Sequence, residues 1–317
     1  MGFIGKRLVI TLITLFLVSI LSFSAFRFIP GDPALLALGV DATEAQLKSL
    51  RSEMGLDKSY PEQYFSWLQR LITGDLGYST RFRGASVSDL IGERLPVTFT
   101  LAGLSLLFIF LIAVPVSLFA VKKENSFVNH IINTVTALNI SIPGFFLGVL
   151  LIWVFGIILR LFIPGAYICY SESLPGFLGS LIFPAIAIAL PNSALVVKFL
   201  RSSVFRELHS DYVRTAKSKG GNHLRILRRH VLKNASVPAI TLLGMITGEI
   251  LSGSIVIEQV FGIPGMGRLL LASITARDFI MIETIVVYIA FVVILANTLA
   301  DIVLQIVDPR IRIAEKV

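Results

Sequence analysis

Six long apolar stretches divide this sequence, and each approaches or exceeds the roughly 20 residues that an α-helix needs to cross the hydrocarbon core of a bilayer. They cover residues 8–28, 97–121, 131–159, 181–197, 238–257 and 284–307. The chain has 317 residues, of which 55% are hydrophobic and only 15% are charged, and its mean hydropathy of +0.83 excludes an ordinary soluble domain. Because a backbone in lipid must satisfy its own hydrogen bonds, the sequence predicts an all-α integral membrane protein of six transmembrane helices.

The polar segments between these stretches define the predicted organisation of the chain. The first apolar stretch follows a short basic head, as in a signal peptide, but it is too long for one and is expected to remain as a span. We therefore predict a first transmembrane helix within residues 1–29, a structured external segment over 30–95, a five-helix core over 96–307 and a tail over 308–317. Within the external segment, residues 44–54 and 62–72 show helical patterns.

The distribution of basic residues predicts the orientation of the chain. Seventeen of the 28 Lys and Arg residues fall on the side that holds both termini and the segment 198–236. The positive-inside rule places this side in the cytoplasm. Both termini are thus expected to be cytoplasmic, in a cytoplasmic (inner) membrane, and the basic charge is explained by topology and does not indicate nucleic acid as a partner.

The loop over 198–236, between the predicted fourth and fifth helices, has a pattern that charge bias does not explain. Apolar side chains recur at helical spacing through Val204, Leu208, Tyr212 and Ala216, and the period resumes with Leu224, Leu227 and Val231 after Gly220 and Gly221. This predicts a helix, a glycine turn and a second helix. Such an amphipathic pair either lies on lipid headgroups or inserts its turn into a groove of a soluble partner, and the pattern alone leaves both open.

Residue groups that carry catalysis or bind nucleotides are missing from the sequence. It lacks the G-x-x-x-x-G-K-[ST] loop that binds nucleotide phosphates, and no nucleophile elbow or His-Glu-x-x-His motif is present. Cys169 is the single cysteine, and His223 with His230 have no evident third metal ligand. We therefore predict no catalytic residues, no metal site and no cofactor in this chain.

Short motifs along almost the whole chain resemble those of one transporter family. The stretch Asp211-Tyr212-Val213-Arg214-Thr215-Ala216-Lys217-Ser218-Lys219-Gly220 resembles the EAA loop of ABC-importer permeases. In the same order as in the dipeptide/oligopeptide/nickel permeases stand Gly31-Asp32-Pro33, Met54-Gly55-Leu56-Asp57, Gly74-Asp75-Leu76-Gly77, Ser141-Ile142-Pro143, Glu258 with Phe261, Pro264-Gly265, and Asp308-Pro309-Arg310. Gly221 departs from the apolar residue that is usual there, and Glu249 stands where a small or apolar residue is expected.

The resemblance implies the partners and the role of the loop. A permease of this family pairs with a homologous second permease chain, with two ATPase subunits that bind ATP and Mg²⁺, and with an extracytoplasmic solute-binding protein, in a bacterial or archaeal membrane. The loop would form the coupling helix that contacts the ATPase, through Asp211, Tyr212, Arg214, Thr215, Ala216, Lys217, Lys219 and Gly220. Peptides, nickel or metal chelates are the implied solutes. The segment around Pro264-Gly265 is expected to be partly buried near the external mouth of the pathway.

Polar residues inside the predicted spans are candidates for the translocation path. A carboxylate such as Glu249 in mid-span must face water or a partner, so it either contacts a cationic or metal-bearing solute or makes an interhelical hydrogen bond. Asp301, with Asn297 one turn away, is expected to pack against a partner permease or to contact the solute. Ser141 and Pro143 break the third helix, as a packing kink or as part of the pore lining. If the resemblance were misleading, the alternative is a gradient-driven secondary transporter or channel that uses Glu249 and Asp301.

Overall fold

A computed structural model describes residues 3–27, 34–35, 42–53, 55–79, 81–82, 85–122, 126–220 and 222–307. Over these ranges the chain is built from helices, which confirms the all-α prediction. The motifs Gly31-Asp32-Pro33 and Asp308-Pro309-Arg310, together with Met54, Gly221 and the tail, lie outside the described residues.

The helices follow one another with short connections. The first three are α1 (Phe3–Arg27), α2 (Glu44–Glu53) and α3 (Tyr60–Thr73). They are followed by α4 (Val87–Lys122), α5 (Phe127–Ser141), α6 (Gly144–Leu151) with a π-helical continuation (Ile152–Ile158), and α7 (Leu174–Leu208). The remainder consists of α8 (Asp211–Ser218), α9 (His223–Ile226) with a π-helical turn (Leu227–Val231), α10 (Leu232–Gly253), α11 (Ile255–Phe261), α12 (Met266–Thr275) and α13 (Phe279–Val307).

Five of these helices are long and apolar enough to cross a bilayer alone, namely α1, α4, α7, the unit from Arg229 to Ser252, and α13. Two bent pairs, α5 with α6 and α11 with α12, raise the number to seven if each pair counts as one span. The predicted count of six lies between these two numbers. The stretch predicted as the third span, 131–159, is divided into two helical halves that meet at 102°.

The break between α5 and α6 has a local cause. Proline disfavours the helical conformation of the residue before it, and Ile142 is extended at φ −91°, ψ 124° while Pro143 continues at φ −60°, ψ 138°. The helix restarts at Gly144, where a β-carbon would lie 3.5 Å from the carbonyl oxygen of Ala187 on α7. The predicted interruption at this motif is thus confirmed.

Two of the helices extend well beyond the apolar stretches from which the spans were predicted. α4 begins at Val87 and not at residue 97, because its first turns carry Asp89, Glu93 and Arg94, which a hydropathy pattern does not count as span. α7 continues to Leu208, about ten residues past the predicted end of the fourth helix. The two helices predicted in the external segment are present as α2 and α3.

Among the described residues, three apolar clusters hold the bundle together. The largest joins α4, α7, α10 and α11, and α7 is central to it, since 56% of its apolar window is buried against 17–33% for the other long helices. A second cluster packs the start of α4 against α12 and α13. The third joins the end of α7 to α8 and the start of α10, so the second and third clusters mark opposite ends of the bundle.

The bundle places the start of α1 and the end of α13 at the same end as α8. α10 runs antiparallel to α13, since Gly244 lies against Ala300 and Gly248 lies against Val293. α1 in turn runs antiparallel to α13, because Thr11 hydrogen-bonds Thr298 at 3.0 Å while the earlier Arg7 pairs with the later Asp301 at 2.9 Å. The prediction that both terminal helices end on the side of the basic loop therefore agrees with the structure.

Candidate functional site

The segment that resembles a coupling helix folds as the short helix α8. The helix starts after Ser210, which is extended, and the acidic Asp211 in its first turn suits the positive end of the helix dipole. It ends before Gly220, whose φ of +76° lies in the left-handed region that favours glycine. The predicted helix and glycine turn are confirmed.

The prediction of one continuous apolar face through Val204 and Ala216 is wrong. The chain leaves helical conformation at His209 and Ser210, so Val204 and Leu208 belong to α7 while Tyr212 and Ala216 belong to α8. The break also changes which residue points inward. Val213 is fully buried in the third cluster and Ala216 is half-buried beside it, whereas Tyr212 is 37% exposed.

Tyr212 connects three helices through its hydroxyl group. It donates a 2.6 Å hydrogen bond to Glu207 on α7 and accepts one of 3.2 Å from the side-chain amide of Asn234 on α10. Partial burial, followed by the hydrogen bond to Glu207, raises the pKa of the Tyr212 phenol. Together with Val213, this contact fixes α8 to the two helices that flank it.

Apart from Val213 and Ala216, the surface of α8 is exposed and mostly polar. It presents Asp211, Arg214, Thr215 and Lys217, and Lys219 follows in the turn. Arg214 lies 3.6 Å from Asp211, but both side chains are largely exposed, so the pair contributes little to stability. α8 is therefore held firmly on one side and offers charged hydrogen-bonding groups on the other.

Glu249 lines a cavity of about 370 Å³ near the break between α5 and α6. Its side chain is exposed on α10, opposite Asn192 on α7. The remaining walls are mostly apolar and come from α5, α6, α7, α10 and α11: Ile140, Gly144, Phe145, Ile188, Pro191, Leu195, Ile250, Ser254, Val256 and Ile257. A single carboxylate in such surroundings favours a cation or a hydrogen-bond donor.

A second cavity of about 390 Å³ lies between α5 and α7, toward the α8 end. It shares Ile140 with the first cavity and is lined by Lys198 and Arg201, and Arg201 donates a hydrogen bond to the side chain of Asn133. The two cavities thus follow one another along α7. Glu249 lines the first cavity, whereas Lys198 and Arg201 line the second.

The other predicted path residues occupy different positions. Ser141 ends α5 and donates to the carbonyl of Ala137 at 2.9 Å, and the extended Pro143 precedes α6. Both form the break, while their neighbours Ile140 and Gly144 line the cavity. Asp301 lies at the interface of α1 and α13, where it forms a 2.9 Å ion pair with Arg7. The structure therefore brings Glu249 and the break together and separates Asp301 from them.

The chain makes a right-angled turn around Pro264-Gly265, where α11 and α12 meet at 91°. Ile263 and Met266 are almost fully buried, which agrees with the predicted partial burial. Glu258 is also fully buried; it accepts hydrogen bonds from the Ser254 hydroxyl and from the backbone N–H of Arg268, both at 2.8 Å. This carboxylate closes the turn by capping the first turn of α12.

A second buried carboxylate, Asp278, was not predicted. It precedes α13 and accepts hydrogen bonds from the Ser79 hydroxyl, the backbone N–H of Arg81 and the backbone N–H of Met281. The Arg81 guanidinium also donates to the carbonyl of Ala272 at 2.6 Å. An Asp directly before an apolar helix is a recognised N-cap signal, and it could have identified this residue.

Together, the bilayer-length helices, the short helix α8 with its exposed polar groups and the two open cavities along α7 define a polytopic membrane protein with the features of a transporter. A model of the binding-protein-dependent transport system inner membrane component matches residues 113–313, and a model of the amino-terminal part of such membrane components matches residues 1–102. The chain belongs to this family of inner membrane components of binding-protein-dependent transport systems. The resemblance read from the sequence motifs is thereby confirmed.

Individual relatives are similar over almost their full length. The probable peptide ABC transporter permease protein y4tP of Sinorhizobium fredii is 33% identical over 98% of this chain and 99% of its own. A putative peptide transport system permease protein of Brucella abortus is 35% identical over 97% of this chain and 98% of its own. The oligopeptide transport system permease protein AppB of Bacillus subtilis is 33% identical, with coverages of 98% and 99%.

Proposed function

We propose that this chain is a permease subunit of an ATP-driven importer of peptides and forms one half of its translocation path. Family membership supports the transporter class, and the names of the relatives support peptides as the solute in preference to nickel or metal chelates. A homologous second permease would supply the other half. Two ATPase subunits, which bind ATP and Mg²⁺, and an extracytoplasmic solute-binding protein would complete the assembly.

The end of the bundle that carries α8 would face the cytoplasm. The concentration of basic residues between Lys198 and Lys233, and the position of Arg7 at the same end, support this orientation through the positive-inside rule. The turn between α11 and α12, with the segment that Asp278 holds, would then face outward toward the binding protein.

Coupling to the ATPase would occur through the exposed face of α8. The observation that carries this proposal is the division of the helix, with Val213 fully buried against the bundle while Arg214 and Lys217 are exposed. An ATPase cleft that moves these side chains would also move α7 and α10, because Tyr212 is bonded to both. Two states of the bundle would then be biased from outside, without a chemical step in this chain.

The solute would pass along the two cavities that α7 lines. Glu249 would receive a positively charged group, such as the amino terminus of a peptide, and the break at Ser141 and Pro143 would shape the wall of the path. Asp301 would hold α1 on α13, since its carboxylate is already paired with Arg7. This pairing also argues against the alternative of a gradient-driven transporter that uses both Glu249 and Asp301.

Charge reversal on α8 tests the coupling. In the reconstituted complex, Arg214→Glu together with Lys217→Glu should lower peptide uptake and peptide-stimulated ATP hydrolysis at least about tenfold, because the interface would lose two charged hydrogen-bond donors, together worth more than ~1.4 kcal/mol. The matched control is Lys48→Glu, which reverses an exposed charge in α2. Normal uptake and hydrolysis in the α8 variant, at equal amounts of assembled complex, would refute the assignment.

A further inference from the structure

Helix α3, in the segment predicted to lie outside the membrane, packs directly on the spanning helix α1. The hydroxyls of Tyr64 and Ser19 form a buried hydrogen bond of 2.8 Å. The Phe23 ring lies 5.4 Å from the Tyr64 ring and 5.6 Å from the Trp67 ring, measured between centroids. Ser19, Ser22 and Phe23 are buried on α1, so α3 covers one stripe of this helix.

The position of Ser19 determines the depth of this contact. The apolar window of α1 runs from Gly5 to Ala25, and its 21 residues match the thickness of the hydrocarbon core. Ser19 precedes Ala25 by six residues, which is about 9 Å along a helix. The hydroxyl of Tyr64 thus reaches well below the edge of the apolar layer, and α3 cannot lie entirely above the bilayer.

α3 has more apolar surface than α1 covers. At about 100° per residue, Phe65 and Ile72 lie roughly 80–100° around the helix from Tyr64, beside the covered stripe. Their side chains are 63% and 78% exposed. Arg70 lies on the opposite side of the helix and is exposed as well. The apolar half of α3 therefore has two sectors, one packed on α1 and one without a neighbour in the described part of the chain.

The open sector of α3 adjoins a surface that lipid must cover. α1 is the least buried of the long helices, with only 17% of its apolar window inside the protein. Leu17 and Leu21, in the same half of α1 that α3 contacts, are 53% and 68% exposed. Tyr60, Tyr64 and Trp67 add the amphipathic aromatic side chains that are enriched where a membrane meets water. Phe65 lies next to Tyr64, with their ring centroids 5.5 Å apart, so the open sector begins beside this lipid-facing surface.

We propose that α3 is an interfacial membrane helix, with Phe65 and Ile72 inserted among the lipid acyl chains of the leaflet opposite α8. An amphipathic helix that lies in the plane of the interface has this composition, with one face in the acyl boundary and charged groups toward water. Ser59 and Glu62, whose capping box begins the helix, would lie on the aqueous side. The occupant of the open sector is lipid, and the solute-binding protein would dock elsewhere.

Site-directed spin labelling tests this placement. Cys169 is the only cysteine, so Cys169→Ser gives a background for the single variants Phe65→Cys, Ile72→Cys and, as the matched control, Arg70→Cys. The nitroxide-labelled full-length complex is reconstituted in phosphatidylethanolamine and phosphatidylglycerol vesicles. Collision rates with oxygen, which concentrates in lipid, are compared with those of a water-soluble nickel chelate.

The ratio of oxygen to nickel collisions should exceed unity at positions 65 and 72 and fall below unity at position 70. A ratio below unity at all three positions would place the sector in water and overturn the proposal. Exclusion of both reagents from positions 65 and 72 would show a protein partner there and would overturn it equally.

An independent measurement covers variants that fail to assemble. Trp153 is the only tryptophan besides Trp67, so Trp67→Phe and Trp153→Phe combined with Phe65→Trp place the sole indole reporter of this chain in the open sector of α3. Vesicles that contain brominated phospholipid should quench its emission more strongly than aqueous iodide does. Stronger quenching by iodide would overturn the proposal.

Discussion

The turn between α11 and α12 depends on the absence of a side chain at Gly267. A β-carbon at this position would lie 2.5 Å from Cγ1 of Ile255, 2.7 Å from its Cα and 3.0 Å from its backbone nitrogen. Carbon atoms in ordinary contact are about 3.5–4.0 Å apart. Gly267→Ala therefore requires α12 to move about 1 Å away from α11, and two of the three opposing atoms are backbone atoms that cannot rotate aside.

The expected cost follows from these contacts. Overpacking typically costs about 1–3 kcal/mol, and a clash with backbone belongs at the upper end of this range. The better helix propensity of alanine returns at most about 1 kcal/mol, so the net destabilisation should be about 2 kcal/mol. The same movement would lengthen the hydrogen bond that Glu258 accepts from the Arg268 N–H, now 2.8 Å.

Heat-induced loss of the monodisperse protein peak in size-exclusion chromatography measures the effect. Gly267→Ala should lower the midpoint temperature of this loss clearly below that of the wild type. Gly103→Ala in α4 is the matched control, because a β-carbon there meets nothing within 4 Å. Its midpoint should stay unchanged or rise. Equal midpoints for Gly267→Ala and the wild type, or equal losses in both variants, would refute the reasoning.

Two further predictions concern carboxylates. Glu249→Gln should reduce uptake of peptides with a free amino terminus more than uptake of N-acetylated peptides, whereas Asp301→Asn should leave this preference unchanged. Competition between labelled and unlabelled peptides measures the preference. If neither variant changes the preference, Glu249 does not contact the solute. Asp278→Ala should cost about 1–3 kcal/mol, because it leaves the buried Ser79 hydroxyl without its acceptor, while the exposed control Asp75→Ala should stay within about 0.5 kcal/mol. The same chromatographic heating assay compares them, and equal midpoints would contradict the role of Asp278.

Local chemistry made part of this fold predictable. Proline and glycine act over one or two residues, so the break at Pro143 and the turn at Gly220 could be placed from the sequence. The angle of 102° between α5 and α6 could not, because it depends on how α6 packs against α7 and α11, which are distant in sequence.

Periodicity was a weaker guide to the candidate site. The spacing of Val204, Leu208, Tyr212 and Ala216 fits one helix. The same spacing also arises when two successive helices have apolar residues in equivalent positions, so it cannot reveal the break between them. Ser210 interrupts the backbone there, and Val213 becomes the buried residue of α8 in place of Tyr212. The ion pair of Asp301 with Arg7 joins residues from the two ends of the chain, so only the tertiary structure could assign it.

The hydroxyl of Tyr212 joins α7 and α10 at points that are nearly equally far from the first cavity. From the α8 end, the cavity residues Asn192 on α7 and Glu249 on α10 are about 16 residues away from Leu208 and about 17 residues away from Leu232, or roughly 25 Å in each case. The two helices therefore connect α8 to the cavity over nearly equal lengths. A common tilt of about 5° at α8 would carry each wall of the cavity by about 2 Å. A small displacement of α8 would therefore move the α7 and α10 walls of the first cavity relative to the walls from α5 and α6, while the hydrogen bonds of Tyr212 stay intact.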